Sequence, residues 1–384
     1  MIRNKMKKRP IELYLHIPFC VRKCEYCDFL SGPAEIREQE QYMEAMLKEL
    51  KGRSEECAEY EVITIFIGGG TPSVVAASWI RRILDTIRKF YSLSEKTEIT
   101  MEINPGTVKE EKLSAYYEAG INRLSIGLQS VRDDELQKLG RIHNFDQFLK
   151  TYEMAVKAGF SNINVDIMSG LPGQTVESFR ESLQVLLSLN PQPVHISAYS
   201  LILEEGTPLC EKVQKGEVSV PEEEAERQMY LLTEQVLGSA GYGRYEISNY
   251  AKPGYECCHN CGYWKRTEYL GFGIGAASLM QECRFQNGNS LSQYIKNPMG
   301  VRSQIQKLSV REQMEEFMFL GLRLKQGISR KDFEQYFGCE PEAVYGDVIL
   351  QNLKDGLLEE TVAGYRLTQR GTDLSNYVMS QFLF

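Results

Sequence analysis

The chain has 384 residues, of which 42% are hydrophobic and 25% are charged, so we expect a large buried core in one big domain plus a small one. No run of about 18 apolar residues predicts a membrane span, and the basic first ten residues lack the apolar segment of a secretory signal. A net charge of −8 argues against a nucleic-acid partner, because such binding needs Lys and Arg to neutralise phosphates. Ten cysteines favour a reducing, cytoplasmic location over a disulfide framework.

Short β-rich runs alternate with helical segments in the first half of the chain. We predict strands at 12–17, 62–67, 98–103, 122–127, 162–167 and 194–199, and helices at 34–51, 73–91, 109–119, 145–158 and 175–189. Such alternation demands a parallel sheet with right-handed crossovers. About six units are too few for an eight-unit barrel. The sequence therefore predicts an α/β fold with a partial (β/α)6 barrel, whose functional groups should lie at the carboxyl ends of the strands.

Three cysteines, Cys20, Cys24 and Cys27, follow the first predicted strand with the spacing Cys-x3-Cys-x2-Cys. Three thiolates fill three iron corners of a cubane cluster and leave the fourth iron open, as a Lewis acid for a small chelating ligand. A purely electron-carrying cluster is instead closed by a fourth thiolate. The alternatives are buried thiols or a zinc knuckle, which would normally recruit a fourth Cys or His nearby.

The other predicted strands also end in glycine or polar residues. A triple glycine and Thr71 follow the second strand, and Glu102 ends the third. Gln129 ends the fourth, with Arg141 a little further on, and Asp166 closes the fifth. Each signal alone has a packing or capping explanation. Because the carboxyl ends of parallel strands meet at one edge, together they predict a polar rim beside the cysteine loop.

These motifs resemble the radical SAM superfamily and, within it, the family of oxygen-independent coproporphyrinogen III oxidases and HemW-type heme chaperones. The shared pattern includes Tyr-x-His-Ile-Pro-Phe-Cys, Gly-Gly-Gly-Thr-Pro and Asp-x-x-x-Gly-Leu-Pro-Gly-Gln, and it runs over most of the chain. The resemblance implies a radical SAM partial barrel with a [4Fe-4S] cluster on the three cysteines. It implies an S-adenosylmethionine (SAM) site at Tyr14, Gly69, Gly70, Thr71, Glu102, Gln129, Arg141 and Asp166. We expect a side chain at Gly70 to block SAM and spare the cluster, because the cysteine loop is elsewhere in sequence.

Three features of the sequence help to decide between the oxidase branch and the heme-chaperone branch of this family. Cys27 is followed by Asp28 and Phe29, where the oxidase typically continues with a fourth cysteine. The first strand begins by about residue 12 instead of after a long extension, and residues 259–264 match His-Asn-x-x-Tyr-Trp, which is similar to the heme chaperones. The resemblance thus implies a chaperone that binds the cluster, SAM and heme. The alternatives are a coproporphyrinogen III oxidase, which decarboxylates its substrate, and an iron–sulfur electron carrier.

His259, Tyr263 and Trp264 are the candidate heme residues. An imidazole can ligate heme iron, and aromatic rings can flank the macrocycle. The alternative is that His259 only hydrogen-bonds a loop and Trp264 fills the core. A second metal site, a thioether anchor for heme and simple buried thiols all stay open for the neighbouring cysteines, Cys257, Cys258 and Cys261.

We predict four segments: a basic tail at 1–11, the barrel at 12–205, an extension at 206–308 and a winged-helix-like α+β domain at 309–384. In the last segment helices precede a hairpin at 356–368. Residues 311–384 carry eight Lys or Arg against twelve Asp or Glu, so we expect a cover over the barrel mouth or a partner-docking module, not a DNA-binding domain. The expected partners are a heme acceptor protein, a flavodoxin- or ferredoxin-type reductant and, through the acceptor, the membrane surface.

Overall fold

The computed structural model describes residues 8–383 and centres on six parallel strands that follow one another in sequence order. They are β1 (Arg9–Ile17), β2 (Tyr60–Gly69), β3 (Leu93–Ile103), β4 (Arg123–Gln129), β5 (Ile163–Ser169) and β6 (His195–Ser200). The helices between them are α1 (Ile36–Gly52), α2 (Ala77–Phe90), α3 (Glu110–Glu118), α4 (Asp133–Lys138), α5 (Phe145–Lys157) and α6 (Val176–Leu187). The predicted α/β fold with six strand–helix units is confirmed. Only α4 was not predicted.

The first strand shows how the sequence separates core from site. Leu13, Leu15 and Ile17 are fully buried in the main apolar core. Because successive side chains of a strand point to opposite faces, Tyr14 and His16 face the other way, where the cavities lie. Residues 9–11 of the predicted basic tail belong to β1, and residues 1–7 lie outside the described residues.

The sheet continues past both ends of the parallel core, which the sequence did not predict. Beyond β6 lie β8 (Asn249–Ala251) and β7 (Gly243–Arg244), both antiparallel to their neighbours. Beyond β1 lie β9 (Tyr269–Phe272), parallel to β1, and the antiparallel strands β10 (Ala277–Met280), β11 (Cys283–Asn287) and β12 (Arg302–Lys307). The connecting helices are α7 (Pro208–Gln214), α8 (Glu223–Ser239), α9 (Cys258–Trp264) and α10 (Leu291–Lys296).

The C-terminal part has a separate apolar cluster that includes Met318, Phe333, Ile349 and Phe382. Its elements are α11 (Val310–Gly321), β13 (Ile328–Ser329), α12 (Arg330–Phe337), α13 (Pro341–Lys354), β14 (Leu358–Glu360), β15 (Gly364–Leu367), α14 (Gln369–Asp373) and α15 (Ser375–Ser380). The three strands form one antiparallel sheet in the order β13-β15-β14. Helices followed by a hairpin match the expected winged-helix-like domain. Among residues 8–383, no helix has the length and apolarity needed to cross a bilayer.

Candidate functional site

A cavity of about 570 Å³, the cluster cavity, opens at the carboxyl ends of the parallel strands. It brings together all three motif cysteines and seven of the eight residues expected around SAM. Its lining includes Cys20, Cys24, Cys27, Gly69, Gly70, Thr71, Glu102, Gln129, Arg141 and Asp166. Tyr14 is the exception, because it lines a neighbouring cavity. The placement agrees with the rule that groups at strand ends of one parallel sheet share an edge.

The cysteine loop leaves β1 and is held against the glycine turn after β2. The amide N–H groups of Gly70 and Thr71 donate to the carbonyls of Ile17 and Phe19, both at 2.8–2.9 Å. The Thr71 hydroxyl lies 3.4 Å from Cys20 Sγ, and Arg141 donates to Cys24 Sγ at 3.6 Å. The glycine turn and the cysteine loop therefore form one rigid unit.

This contact corrects the expectation for Gly70. A Cβ built on Gly70 would lie 2.8 Å from the carbonyl oxygen of Phe19 and 3.0 Å from Cys20 Sγ. A valine at this position would displace the cysteine loop itself, so it should weaken both cluster assembly and SAM binding. Separation along the sequence was a poor guide, because the parallel pairing of β1 with β2 brings the two loops together.

Three partly exposed free thiols on one loop suit a four-iron cluster with an open iron. Among residues 8–383, no group of three or more His, Cys, Asp or Glu converges as the ligands of a single metal ion must. The motif cysteines need no such convergence, because each would bind a different iron of the cubane. For Cys257, Cys258 and Cys261, the same finding gives the idea of a second metal site no support. The thiol of Cys257 instead faces Glu98, at 3.6 Å.

Two carboxyl groups lie deep in the cluster cavity. Burial, and then the nearby Asp166, raise the pKa of Glu102 to about 8, while its Oε2 accepts the Gly69 N–H at 3.1 Å. Burial also raises the pKa of Asp166, whose Oδ1 accepts from the Asn164 amide at 2.7 Å. Near pH 7 Glu102 is therefore mostly protonated, and it can donate a hydrogen bond to a ligand as well as accept one.

Gln129 and Arg141 are held in fixed positions at the same rim. Gln129 has a left-handed backbone with φ of 70°, and its Oε1 accepts from the Tyr199 hydroxyl at 2.9 Å. Arg141 donates to Asn104 Oδ1 at 2.7 Å and to the Gly127 carbonyl at 2.9 Å. A backbone strained at this point is typical of a site that positions a ligand.

Arg123 is a site residue that sequence reasoning missed. It lies at the start of β4, is 2% exposed and lines the floor of the cluster cavity. Burial alone would lower the pKa of Arg123, but the nearby Cys257, Glu98 and Asp166 raise it above its ordinary value. A charged residue inside a run predicted to be a central strand was the available signal, because such a charge is rarely buried without a purpose.

A second cavity of about 610 Å³, the aromatic cavity, adjoins the first. The two share Phe29, Gly69 and Glu102 in their linings. The aromatic cavity is mostly apolar, with Tyr14, Leu30, Tyr263, Trp264, Tyr269, Leu279, Phe319 and Leu320 among its lining residues. The indole Nε1 of Trp264 is buried and has no hydrogen-bond partner among the described residues. Of the three candidate heme residues, Tyr263 and Trp264 therefore line a cavity.

His259 lies behind this cavity, in the interior. Its Nδ1 is 2.6 Å from the Thr64 hydroxyl, its Nε2 is 2.9 Å from the Tyr263 hydroxyl, and its ring stacks on Phe66 with centroids 5.1 Å apart. Burial lowers the pKa of His259 to about 3, so the imidazole is neutral. An iron could reach a ring nitrogen only after one of these hydrogen bonds breaks. The structure thus shows His259 positioning Tyr263, and these contacts favour that positioning role over the expected role as heme ligand.

The comparisons with known proteins divide the chain as the structure does, into the part with the parallel strands and the C-terminal domain. Residues 14–186 match the Radical SAM superfamily, and residues 308–374 match the HemN C-terminal domain. Membership of that superfamily implies a [4Fe-4S] cluster and SAM. In overall fold the chain is similar to the solved coproporphyrinogen III oxidase (HemN) of Escherichia coli, with a TM-score of 0.84 and 22% identity over 98% of this chain and 90% of that one.

The most informative relatives are similar over nearly their whole length. The heme chaperone HemW of Lactococcus lactis is 36% identical, covering 98% of both chains. The heme chaperone HemW of Bacillus subtilis is 36% identical, covering 96% of this chain and 98% of its own. That of Escherichia coli is 35% identical, covering 98% and 99% respectively. The chain therefore belongs to the HemW family of heme chaperones within the radical SAM superfamily.

Proposed function

We propose that this protein binds a [4Fe-4S] cluster, SAM and one heme, and transfers the heme to an acceptor protein. The observation that carries the proposal is the pair of adjoining cavities. One is lined by three cysteines and polar strand ends, and the other by aromatic and aliphatic side chains. The name shared by the curated relatives, heme chaperone, supports a heme in the second cavity.

The cluster cavity supplies groups suited to each part of SAM. Cys20, Cys24 and Cys27 would hold the cluster, whose open iron accepts the amino and carboxylate groups of SAM. The backbone of Gly69 and Gly70 lines this cavity and would face the methionine part of SAM. Glu102 and Asp166, with raised pKa values, can exchange hydrogen bonds with hydroxyl or adenine groups.

The aromatic cavity has the lining that a porphyrin requires. Trp264 and Tyr263 offer flat rings for stacking on a macrocycle, and Leu279 and Phe319 complete an apolar wall. Phe29 and Glu102 line both cavities, so a heme and a SAM would lie as neighbours. Because the two ligands would be neighbours, the binding of SAM could directly affect how tightly the protein holds the heme.

One anaerobic experiment with two arms tests this function. Reconstituted protein is titrated with heme in one arm, and in the other it is given coproporphyrinogen III, SAM and dithionite. The proposal expects a stable complex with one heme per chain and no protoporphyrinogen. Conversion of coproporphyrinogen III to protoporphyrinogen would show that the protein is an oxidase and not a chaperone. The shared fold alone permits that activity.

The same proposal includes the partners and the compartment. A heme acceptor protein, reached at the membrane surface, and a flavodoxin- or ferredoxin-type reductant are its expected partners. The location is the reducing cytoplasm, and ten free cysteines support it.

A further inference from the structure

Four charged side chains form a cluster at the wall of the aromatic cavity. Arg266 donates from Nε to Glu316 at 3.0 Å and from its terminal nitrogen to Glu282 at 2.7 Å. Arg284 donates to the other oxygen of Glu316, also at 2.7 Å. Arg266, Arg284 and Glu316 all line the cavity. Two arginines thus converge on one carboxylate at the wall of a mostly apolar cavity.

The elements that deliver these side chains come from three different parts of the chain. Arg266 follows α9, Arg284 is on β11, and Glu316 is on α11 in the C-terminal domain. Arg266 has φ of 54°, and Glu282 has φ of 58° in the turn between β10 and β11. Left-handed backbone at residues other than glycine costs about 1 kcal/mol or more each. With these two backbone conformations, Arg266 lies at the cavity wall and Glu282 lies within hydrogen-bond distance behind it.

The charges of the cluster balance, with two arginines against two carboxylates. The side chains of Arg266 and Glu316 are 6% and 12% exposed, so their charges are mostly shielded from water, whereas those of Arg284 and Glu282 are 38% and 37% exposed. A further carboxylate beside Arg266 and Glu316 would leave an excess of negative charge at the buried end of the cluster, which is costly. A carboxylate ligand is therefore accommodated best when it replaces Glu316.

We infer that Arg266 and Arg284 bind a propionate carboxylate of heme, and that Glu316 occupies this position until heme displaces it. The inference rests on the proposed heme function. Two arginines approaching one carboxylate form charge-assisted hydrogen bonds, which are the strong ones for this ligand chemistry. Glu316 acts as an internal competitor for that position. Heme entry would then break the ion pairs that join Glu316 of α11 to Arg266 and Arg284.

The test compares heme with its dimethyl ester, which keeps the macrocycle and lacks free carboxylates. Wild type should bind heme more tightly than the ester. E316Q should raise heme affinity roughly tenfold, because the amide competes less well for the arginines, and R266Q and R284Q should each lower it roughly tenfold. Affinity for the ester should change little in all three variants. Thermal unfolding of each variant checks that it folds.

Two matched controls separate this effect from a general change of charge. E315Q alters the same helix at a residue that pairs with Arg311, and R302Q alters an arginine that pairs with Glu56. Both should keep the wild-type affinity for heme. Equal binding of heme and ester by wild type, with unchanged heme affinity in E316Q and R284Q, would overturn the inference and leave the heme function standing. A wild type that binds neither compound would overturn both.

Discussion

Glu102 lies where the two cavities meet, at the end of β3. Burial, with Asp166 nearby, raises its pKa from 4.5 to about 8 in the folded protein. The folded carboxyl therefore stays protonated at pH values where the unfolded one has ionised. Its contribution to stability is fully present below about pH 4.5 and is lost as the pH rises through about 8.

This loss of stability with rising pH gives a prediction for the protein without ligands. Between pH 7 and pH 8 the share of Glu102 in the free energy of unfolding should fall by about 1 kcal/mol. Glu102→Gln should remove that share, while Glu12, whose pKa burial also raises, acts alike in both proteins. Denaturant unfolding at the two pH values measures it. Equal pH dependence in variant and wild type would show that Glu102 titrates normally.

Cys24 gives a second prediction at this scale. Cys24→Ala should abolish the cluster after anaerobic reconstitution, because two thiolates cannot hold a cubane against solvent. Iron content and the brown absorbance measure the loss. Cys258→Ala is the matched control, since Cys258 is an exposed free thiol and its loss should leave the iron content unchanged. A brown Cys24 variant that retains its iron would refute the assigned ligand set.

Sequence reasoning placed site residues well wherever they end a parallel strand. Glu102 and Gln129 follow from that rule, since strand ends share an edge. Asp166 was expected to close its strand but lies in the middle of β5, which continues to Ser169, and it lines the same cavity from there. Arg266 and Glu316 could not be predicted in the same way. They meet only because the connection after α9 and a C-terminal helix fold against one cavity, and no local pattern reports such a contact.

The short helix α9 is the element that builds the aromatic cavity. Its first turn is fixed by Glu98, which accepts the N–H groups of Cys258 at 3.2 Å and His259 at 3.3 Å. His259 then bonds Thr64 of β2, and Tyr263 and Trp264 follow at the cavity wall. Through these hydrogen bonds the barrel strands fix the position of α9, and α9 in turn fixes the position of the aromatic rings of Tyr263 and Trp264.

His259→Ala should for this reason act on stability first. Losing two buried hydrogen bonds and a stacked ring should lower the free energy of unfolding by about 3 kcal/mol. The spectrum of bound heme should stay as in wild type, because both imidazole nitrogens already have partners. Chemical unfolding and heme absorbance measure the two effects. A shifted heme spectrum in a variant of normal stability would restore His259 as the iron ligand.

A substitution at Gly262 tests how closely the same helix packs against Glu12. A Cβ on Gly262 would overlap the buried carboxyl group of Glu12, whereas a Cβ on Gly238 in α8 meets nothing within 4 Å. Gly262→Ala should lower the free energy of unfolding by about 2 kcal/mol and weaken heme binding. Gly238→Ala should raise stability by about 0.5 kcal/mol. If both substitutions acted alike, α9 would not be packed on Glu12.

The elements that the sequence predicted are those with strong local periodicity. The six strand–helix units were found because apolar strands and amphipathic helices carry their own pattern. β9 and β10 have four residues each, which is too few for a periodic pattern, and β12 is largely exposed and lacks an apolar face. They become strands only by pairing beside β1, which is a tertiary effect.

At the scale of the whole molecule, the C-terminal domain completes a site that the barrel begins. Phe319 and Leu320 of α11 close the aromatic cavity over residues from β1, β9 and β10. The expectation of a cover over the barrel mouth thus has a structural counterpart in α11. For the proposed release of heme to an acceptor, a wall made by a separate domain offers a way to open the cavity.

The position of heme in the aromatic cavity is tested most directly by tryptophan fluorescence. The chain has only two tryptophans, Trp264 in the cavity wall and Trp79 on α2. In Trp79→Phe all tryptophan emission comes from Trp264, and heme quenches a fluorophore more strongly the closer it lies. We predict nearly complete quenching at one heme per chain, with occupancy followed by absorbance. Emission that persists at full occupancy would place the heme elsewhere and contradict the two-cavity account.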